Sequence, residues 1–139
     1  MKKLYIIAAL IGMFSTGVMA QSYKVIVNSS NSVSSLTKKQ VSNYLLKKTK
    51  KWDNGTIGSP VDQSANSATR GSFSKDVHGK PISAIKSYWQ QAVFSGSGTP
   101  PPEKKTDSQV IEYVKSKAGA IGYVSSGANT DGVKVISVN

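Results

Sequence analysis

Apolar and polar positions alternate along this chain with two periods, and the switches between them mark its elements. Residues 23–27 (YKVIV) are rich in β-branched side chains and predict a first strand, closed by the turn-forming Asn28, Ser29, Ser30 and Asn31. The period then lengthens. Val41, Tyr44 and Leu45 form an i, i+3, i+4 stripe, with Thr37 and Gln40 at capping-box spacing and Leu36 and Val41 at the staple positions. Lys47, Lys48, Lys50 and Lys51 gather at the far end of this helix, where cations suit the negative end of its dipole. Trp52 is expected to pack under the Asp53-Asn54-Gly55 turn that follows.

A second, weaker strand is predicted over residues 57–61, with Pro60 marking a sheet edge. Residues 61–73 (VDQSANSATRGSF) then leave the apolar run, cross a loop of small polar residues and enter a helix near Ser67. Phe73 and Val77 give that helix its buried face, Gly79 is placed to end it at C′, and Pro81 blocks continuation. Pro81 at N1 opens a third helix with Ile82, Ile85, Trp89 and Val93 as its apolar stripe. Thr106 and Gln109 repeat the capping-box spacing ahead of a fourth helix, whose core face is Val110, Ile111 and Val114 and whose end is assigned to Gly119. Strands are predicted over residues 120–124 (AIGYV) and 133–138 (VKVISV). The resulting order, β-α-β-α-α-α-β-β, predicts an α/β fold with a mixed, largely parallel sheet and flanking helices.

The first twenty residues stand apart. Lys2 and Lys3 precede an apolar run and a Val18-Met19-Ala20 cleavage pattern, so they predict a secretory signal peptide cut between Ala20 and Gln21. Residues 21–139 are then expected to form one exported domain, periplasmic or secreted, with no transmembrane segment in the mature chain. Cysteine is absent, so disulfides contribute nothing. Removing Lys2 and Lys3 takes the formal charge from +11 to +9, which attracts anions; export argues against nucleic acid as the partner.

The chain is poor in catalytic groups. There is one histidine, His78, expected on the surface in the last turn of a helix. With no cysteine and no second histidine it makes no metal site and no recognisable triad. Seven acids are scattered without acid–base spacing, so neither an enzyme nor a cofactor is expected. What the chain does offer is the start of its second helix. Ser67 is an N-cap, and the same geometry directs free N–H groups, the Ser67 and Thr69 hydroxyls and the Arg70 guanidinium toward any anion above the loop. In an open α/β sheet such a loop, at the carboxyl end of a strand, faces the ligand crevice.

The segments LTKKQVSNYLLKKTKKWDNGT, SATRGSF, YWQQAVFSGSGTPP and AGAIGYV resemble the phosphate-binding proteins that serve ABC-type phosphate importers. The match is to one lobe of those two-lobe proteins and extends over nearly all of residues 23–138. The resemblance implies a periplasmic-binding-protein-like lobe, a non-catalytic role, and an inorganic oxyanion such as phosphate as ligand. It implies an ABC transporter, another envelope protein or a second copy of the chain as partner. In the family this lobe supplies an arginine and, four residues on, a Ser-Gly-Thr triplet at a helix start. Ser67, Ala68 and Thr69 stand at the triplet, Gln63 at the arginine, and Arg70 one residue beyond. Loss of a bidentate charged contact weakens binding by about 1.5–3 kcal/mol, so a weak or shared site is implied at Ser67, Ala68, Thr69 and Arg70. Two other readings remain open: an interaction module that has kept the scaffold without the ligand, and an anionic-surface binder using the Lys47, Lys48, Lys50 and Lys51 cluster.

Overall fold

A computed structural model describes residues 22–139; the expected signal segment lies outside the described residues. The chain runs β1 (Tyr23–Asn28), β2 (Ser35–Leu36), α1 (Lys38–Leu45), β3 (Ser59–Pro60), β4 (Asp62–Gln63), α2 (Ala68–Phe73), α3 (Ile82–Ser95), β5 (Glu103–Lys104), α4 (Asp107–Ser116), β6 (Ala120–Ser125) and β7 (Val133–Val138). A π-helical segment, Ser74–His78, continues α2. Without the two-residue strands β2, β4 and β5, this is the predicted order.

Five strands form one mixed sheet in the order β2-β7-β1-β6-β3, and β4 pairs with β5 beside it. Three of these five pairings are parallel, but each spans only two residues. The long pairings, β1 with β6 and β1 with β7, are antiparallel. Both faces of the sheet are covered, which is why its central strands read as nearly continuous apolar runs. On one face Tyr23, Val25 and Val27 of β1 meet Ile121 and Tyr123 of β6, packed under α1 and α2 through Val41, Leu45 and Phe73. On the other, Ile26 and Val124 pack on Val110 and Val114 of α4. Burying each such side chain is worth roughly 1.5–3 kcal/mol.

Local signals explain most boundaries. Thr37 and Gln40 form the predicted capping box, the Thr37 Oγ1 accepting from Gln40 N at 3.1 Å and Gln40 Oε1 accepting from Thr37 N at 2.8 Å. Thr106 caps α4, but Gln109 reaches back one residue further, to Lys105 N at 3.0 Å. Trp52 lies buried, stacks on Tyr44 at 4.1 Å, and donates its Nε1–H to Gly119 O at 2.9 Å.

Several expectations need correction. The 57–61 strand shrinks to Ser59–Pro60, because Ile57 only bridges to Lys51 and stands 69% exposed. Pro60 does lie at the sheet edge, against β6. Pro81 is the cap residue before α3, not its first helical residue, since its ψ of 160° is extended. Val93 is 53% exposed, because α3 buries only Ile85 and Trp89 against Leu46. Gly119 does not end α4, which stops at Ser116. It is glycine because a Cβ there would sit 1.8 Å from the Ile57 carbonyl oxygen. The lysine cluster lies in the turn after α1, with Lys47 at φ 56° and Lys48 over the Tyr88 ring at 5.7 Å.

Candidate functional site

Val61 is the last apolar residue before the loop, and its N–H is bonded to Ile121 O. The chain then crosses to β5: Asp62 N donates to Pro102 O at 2.9 Å and Ser64 N to Lys104 O at 3.0 Å. A turn closes with Ser67 N donating to Ser64 O, and α2 begins. Ser67 is its N-cap as expected, its Oγ accepting from Arg70 N at 3.2 Å. Ala68 and Thr69 occupy the first two helical positions, where N–H groups have no intrahelical acceptor. Ala68 is exposed and Thr69 half-buried, so these groups meet solvent at the loop's rim. The Ser67 hydroxyl donates to Gln63 Oε1. An anion seeking that hydroxyl therefore competes with Gln63.

Arg70 turns the other way. It is only 4% exposed, and its Nη1 donates to Gln63 O at 2.8 Å and to Glu103 Oε1 at 2.7 Å. Its Nε faces Asp62 Oδ1 at 3.6 Å, an ion pair without a hydrogen bond. Asp62 is itself buried and accepts hydrogen bonds from the Tyr123 hydroxyl and from Gln63 N. Burial pushes its carboxyl above the usual range; the Arg70 charge and these two bonds offset part of that rise. Tyr123 is fixed by a parallel stack on Phe73, centroids 3.8 Å apart, and its hydroxyl is driven far up by burial and by Asp62.

The network continues outward. Gln63 Nε2 donates to Tyr123 O at 2.9 Å and Asp107 Oδ1 at 3.2 Å, and Asp107 in turn accepts from Ser125 N and Oγ. Gln63 is thus the joint between the α2 cap and the first turn of α4. Asp62, Glu103, Asp107 and Tyr123 are the partners that sequence reasoning missed. Glu103 is thirty-three residues from Arg70 and reaches it through the β4–β5 ladder, a contact that no local spacing reveals.

His78 corrects another expectation. It is half-buried, with Nδ1 and Ser42 Oγ sharing a hydrogen bond of 2.7 Å and its ring edge-on to Phe73. Burial, followed by the charges of Arg70, Lys48 and Lys80, lowers its pKa to about 4. The π-helical turn widens the helix there and swings the ring toward α1 instead of into solvent. Among the described residues no group of three or more His, Asp or Glu could hold a metal ion, and no helix is long and apolar enough to cross a membrane.

No protein-family model matches the sequence, and no curated protein matches it. Solved structures do. An ABC-type phosphate transport receptor from Vibrio cholerae superposes with a TM-score of 0.67 at 21% identity, over 84% of this chain and 46% of that one. A substrate-binding protein assigned to a phosphate ABC transporter of Clostridium perfringens, solved with bound phosphate, gives 0.64 at 20% identity, over 84% and 44%. This chain has the fold of one lobe of a periplasmic binding protein. A protein from Planctomyces limnophilus described as a possible phosphate binding protein agrees, with a TM-score of 0.64 at 16% identity over 85% and 41%. The chain spans less than half the length of each of these structures. At these identities the likeness establishes the lobe fold alone.

Proposed function

We propose that this chain is an exported, non-catalytic oxyanion-binding protein, with phosphate as the first ligand to test. The observation that carries the reading is the Ser67-Ala68-Thr69 entry into α2, open to solvent directly after an edge strand, in a lobe shaped like those of phosphate receptors. The Ala68 and Thr69 N–H groups and the Ser67 and Thr69 hydroxyls supply the donors. Arg70 lends its charge from beneath the loop, since Asp62 and Glu103 hold its guanidinium. Those two carboxylates and Asp107 oppose an anion, and Gln63 brings no charge. The isolated lobe therefore binds weakly, and a second copy, an ABC transporter or another envelope protein completes the site.

Calorimetry with phosphate and with sulfate at low salt tests the reading. Saturable heat is expected with phosphate, weakened when Ser67→Ala and Thr69→Val are combined. No heat and no thermal shift at millimolar phosphate, with or without added partner, would retire it. Export is tested separately: mass spectrometry of the secreted protein should find Gln21 at its amino terminus.

A further inference from the structure

Charge is divided unevenly between the two faces of the sheet. α1, α2 and the π-helical turn cover one face, with α3 resting on Leu46 just past α1, and α4 covers the other. Residues 37–95, which carry the helices of the first face, hold nine lysines and Arg70 against three acids, Asp53, Asp62 and Asp76. Residues 96–132, which include α4, hold four lysines against four acids. Ion pairing widens the difference. Arg70 is paired with Asp62, and Lys38 with Asp76 at 2.6 Å. Eight lysines then stand against Asp53 alone, and none of the eight has an ion pair among the described residues.

Five of these lysines gather where α1 ends. The helix stops at Leu45 with no basic residue in its last turn, and its dipole fades within about a turn, so it serves Lys47 and Lys48 at most. The chain then folds back tightly. Lys48 N and Thr49 N both donate to Asn43 O, at 2.8 and 3.2 Å, and Lys47, Lys48, Lys50 and Lys51 ride on that bend. Lys80 joins them from the loop between the π-helical turn and α3. Lys48 and Lys80 reach the same neighbourhood: their charges, after burial and Arg70, hold down the pKa of His78. Lys48, Lys50, Lys51 and Lys80 are exposed, and Lys47 is half-buried. An occupant of this end has to bring negative charge. A second copy of the chain brings more of the same sign and is repelled.

The type of cation narrows the partner. Residues 21–139 hold fifteen lysines and a single arginine, and that arginine is buried. Arginine is the fork that reads a fixed phosphate or carboxylate, whereas lysine is a hydrated point charge on a flexible stem. Point charges spread around a bend suit a surface whose anions are mobile and move to meet them, as lipid headgroups do. We propose that the end of α1, through Lys47, Lys48, Lys50, Lys51 and Lys80, docks electrostatically on a bilayer of anionic phospholipid. None of these residues belongs to the oxyanion donors at the start of α2, so the two readings stand or fall separately.

Co-sedimentation of the exported protein with vesicles of equal parts phosphatidylglycerol and phosphatidylcholine tests the proposal, with pure phosphatidylcholine as the neutral control. Binding is expected to the anionic vesicles alone, and about 1 M salt, with a screening length near 3 Å, should abolish it. Each lysine at such a surface is worth about fivefold in partitioning, so Lys48→Gln with Lys80→Gln should lower it roughly twentyfold. Lys105→Gln with Lys117→Gln removes the same charge from the α4 side and should lower it less than about threefold, since these charges stand beyond the screening length from the leaflet. All four side chains are exposed, so neither pair should move the urea midpoint. At matched ionic strength, sodium phosphate should displace the protein no better than sodium chloride, which separates a leaflet from free phosphate. Equal losses from the two pairs would leave net charge as the whole cause and overturn the proposal. So would equal binding to neutral vesicles, displacement by phosphate beyond that by chloride, or retention on the acidic polysaccharide alginate without binding to vesicles.

Discussion

Replacing Arg70 with methionine isolates the charge at the centre of the network. The substitution keeps most of the stem's packing and removes the guanidinium. Three contacts disappear: Gln63 O at 2.8 Å, Glu103 at 2.7 Å and Asp62 at 3.6 Å. They are unequal. The Glu103 side chain is 47% exposed, so its pairing contributes only about 0.5–1 kcal/mol. The Asp62 side chain is 8% exposed and stays behind without its counter-charge. Breaking a buried pair in this way costs roughly 3–5 kcal/mol. The Tyr123 and Gln63 hydrogen bonds still support the carboxylate, so the lower end, about 3 kcal/mol, is expected.

The variant should also acquire a characteristic pH dependence. Without Arg70 the Asp62 carboxyl rises further above its unfolded value. A group with a raised folded pKa adds stability below its unfolded pKa, and that stability is lost as pH rises through the folded value. The destabilisation should therefore be larger near pH 8 than near pH 5 by about 1 kcal/mol or more, each unit of pKa difference being worth 1.36 kcal/mol. Urea unfolding followed by Trp52 and Trp89 fluorescence measures both quantities. Adding Asp62→Asn should recover at least half of the loss, since no buried charge then remains. A cost under about 1 kcal/mol, or one equal at the two pH values, would refute the assignment of Arg70 as the counter-ion that keeps Asp62 buried.

The remaining predictions address other sites. His78 has a folded pKa of about 4 against an unfolded 6.5, so its neutral form belongs to the fold. Stability should be full above about pH 6.5 and fall as pH drops toward 4, with a ceiling of about 3.4 kcal/mol that partial solvent screening reduces to about 2. His78→Gln should flatten that window in urea titrations, and an unchanged slope would remove His78 as its cause. Gly119→Ala places a Cβ against the Ile57 carbonyl and should lose roughly 3 kcal/mol, read as a lower melting temperature with altered Trp52 emission.

Legibility from sequence followed the range of the interactions. Helix starts were readable because caps are local: Thr37, Ser67 and Thr106 each bond within three residues. The long strands were readable from their β-branched runs. The two-residue strands β2, β4 and β5 were not, since pairs such as Asp62 with Glu103 and Ser35 with Ser137 carry no pattern of their own. At the site, the Ser67 cap was visible, but the fate of Arg70 was not. A helical arginine beside a loop reads as an outward donor until the β4–β5 ladder brings up Asp62 and Glu103 together. His78 was misplaced for a related reason: the π-helical widening that turns it toward Ser42 leaves no signature in residue spacing.

The position of β1 has a consequence for how the chain comes together. It is the centre of the sheet, yet its neighbours are β6 and β7, about a hundred residues further along, and Asn139 bonds back to Leu36 and Lys38. A chain delivered amino end first, from a ribosome or through a translocation pore, holds its central strand unpaired until almost everything else has emerged. The helices gain their cap bonds early, but the surface they pack on does not yet exist. Sequence-distant pairing of this kind slows folding and favours a late, cooperative closure. The architecture thereby concentrates the commitment to structure in the arrival of its last two strands.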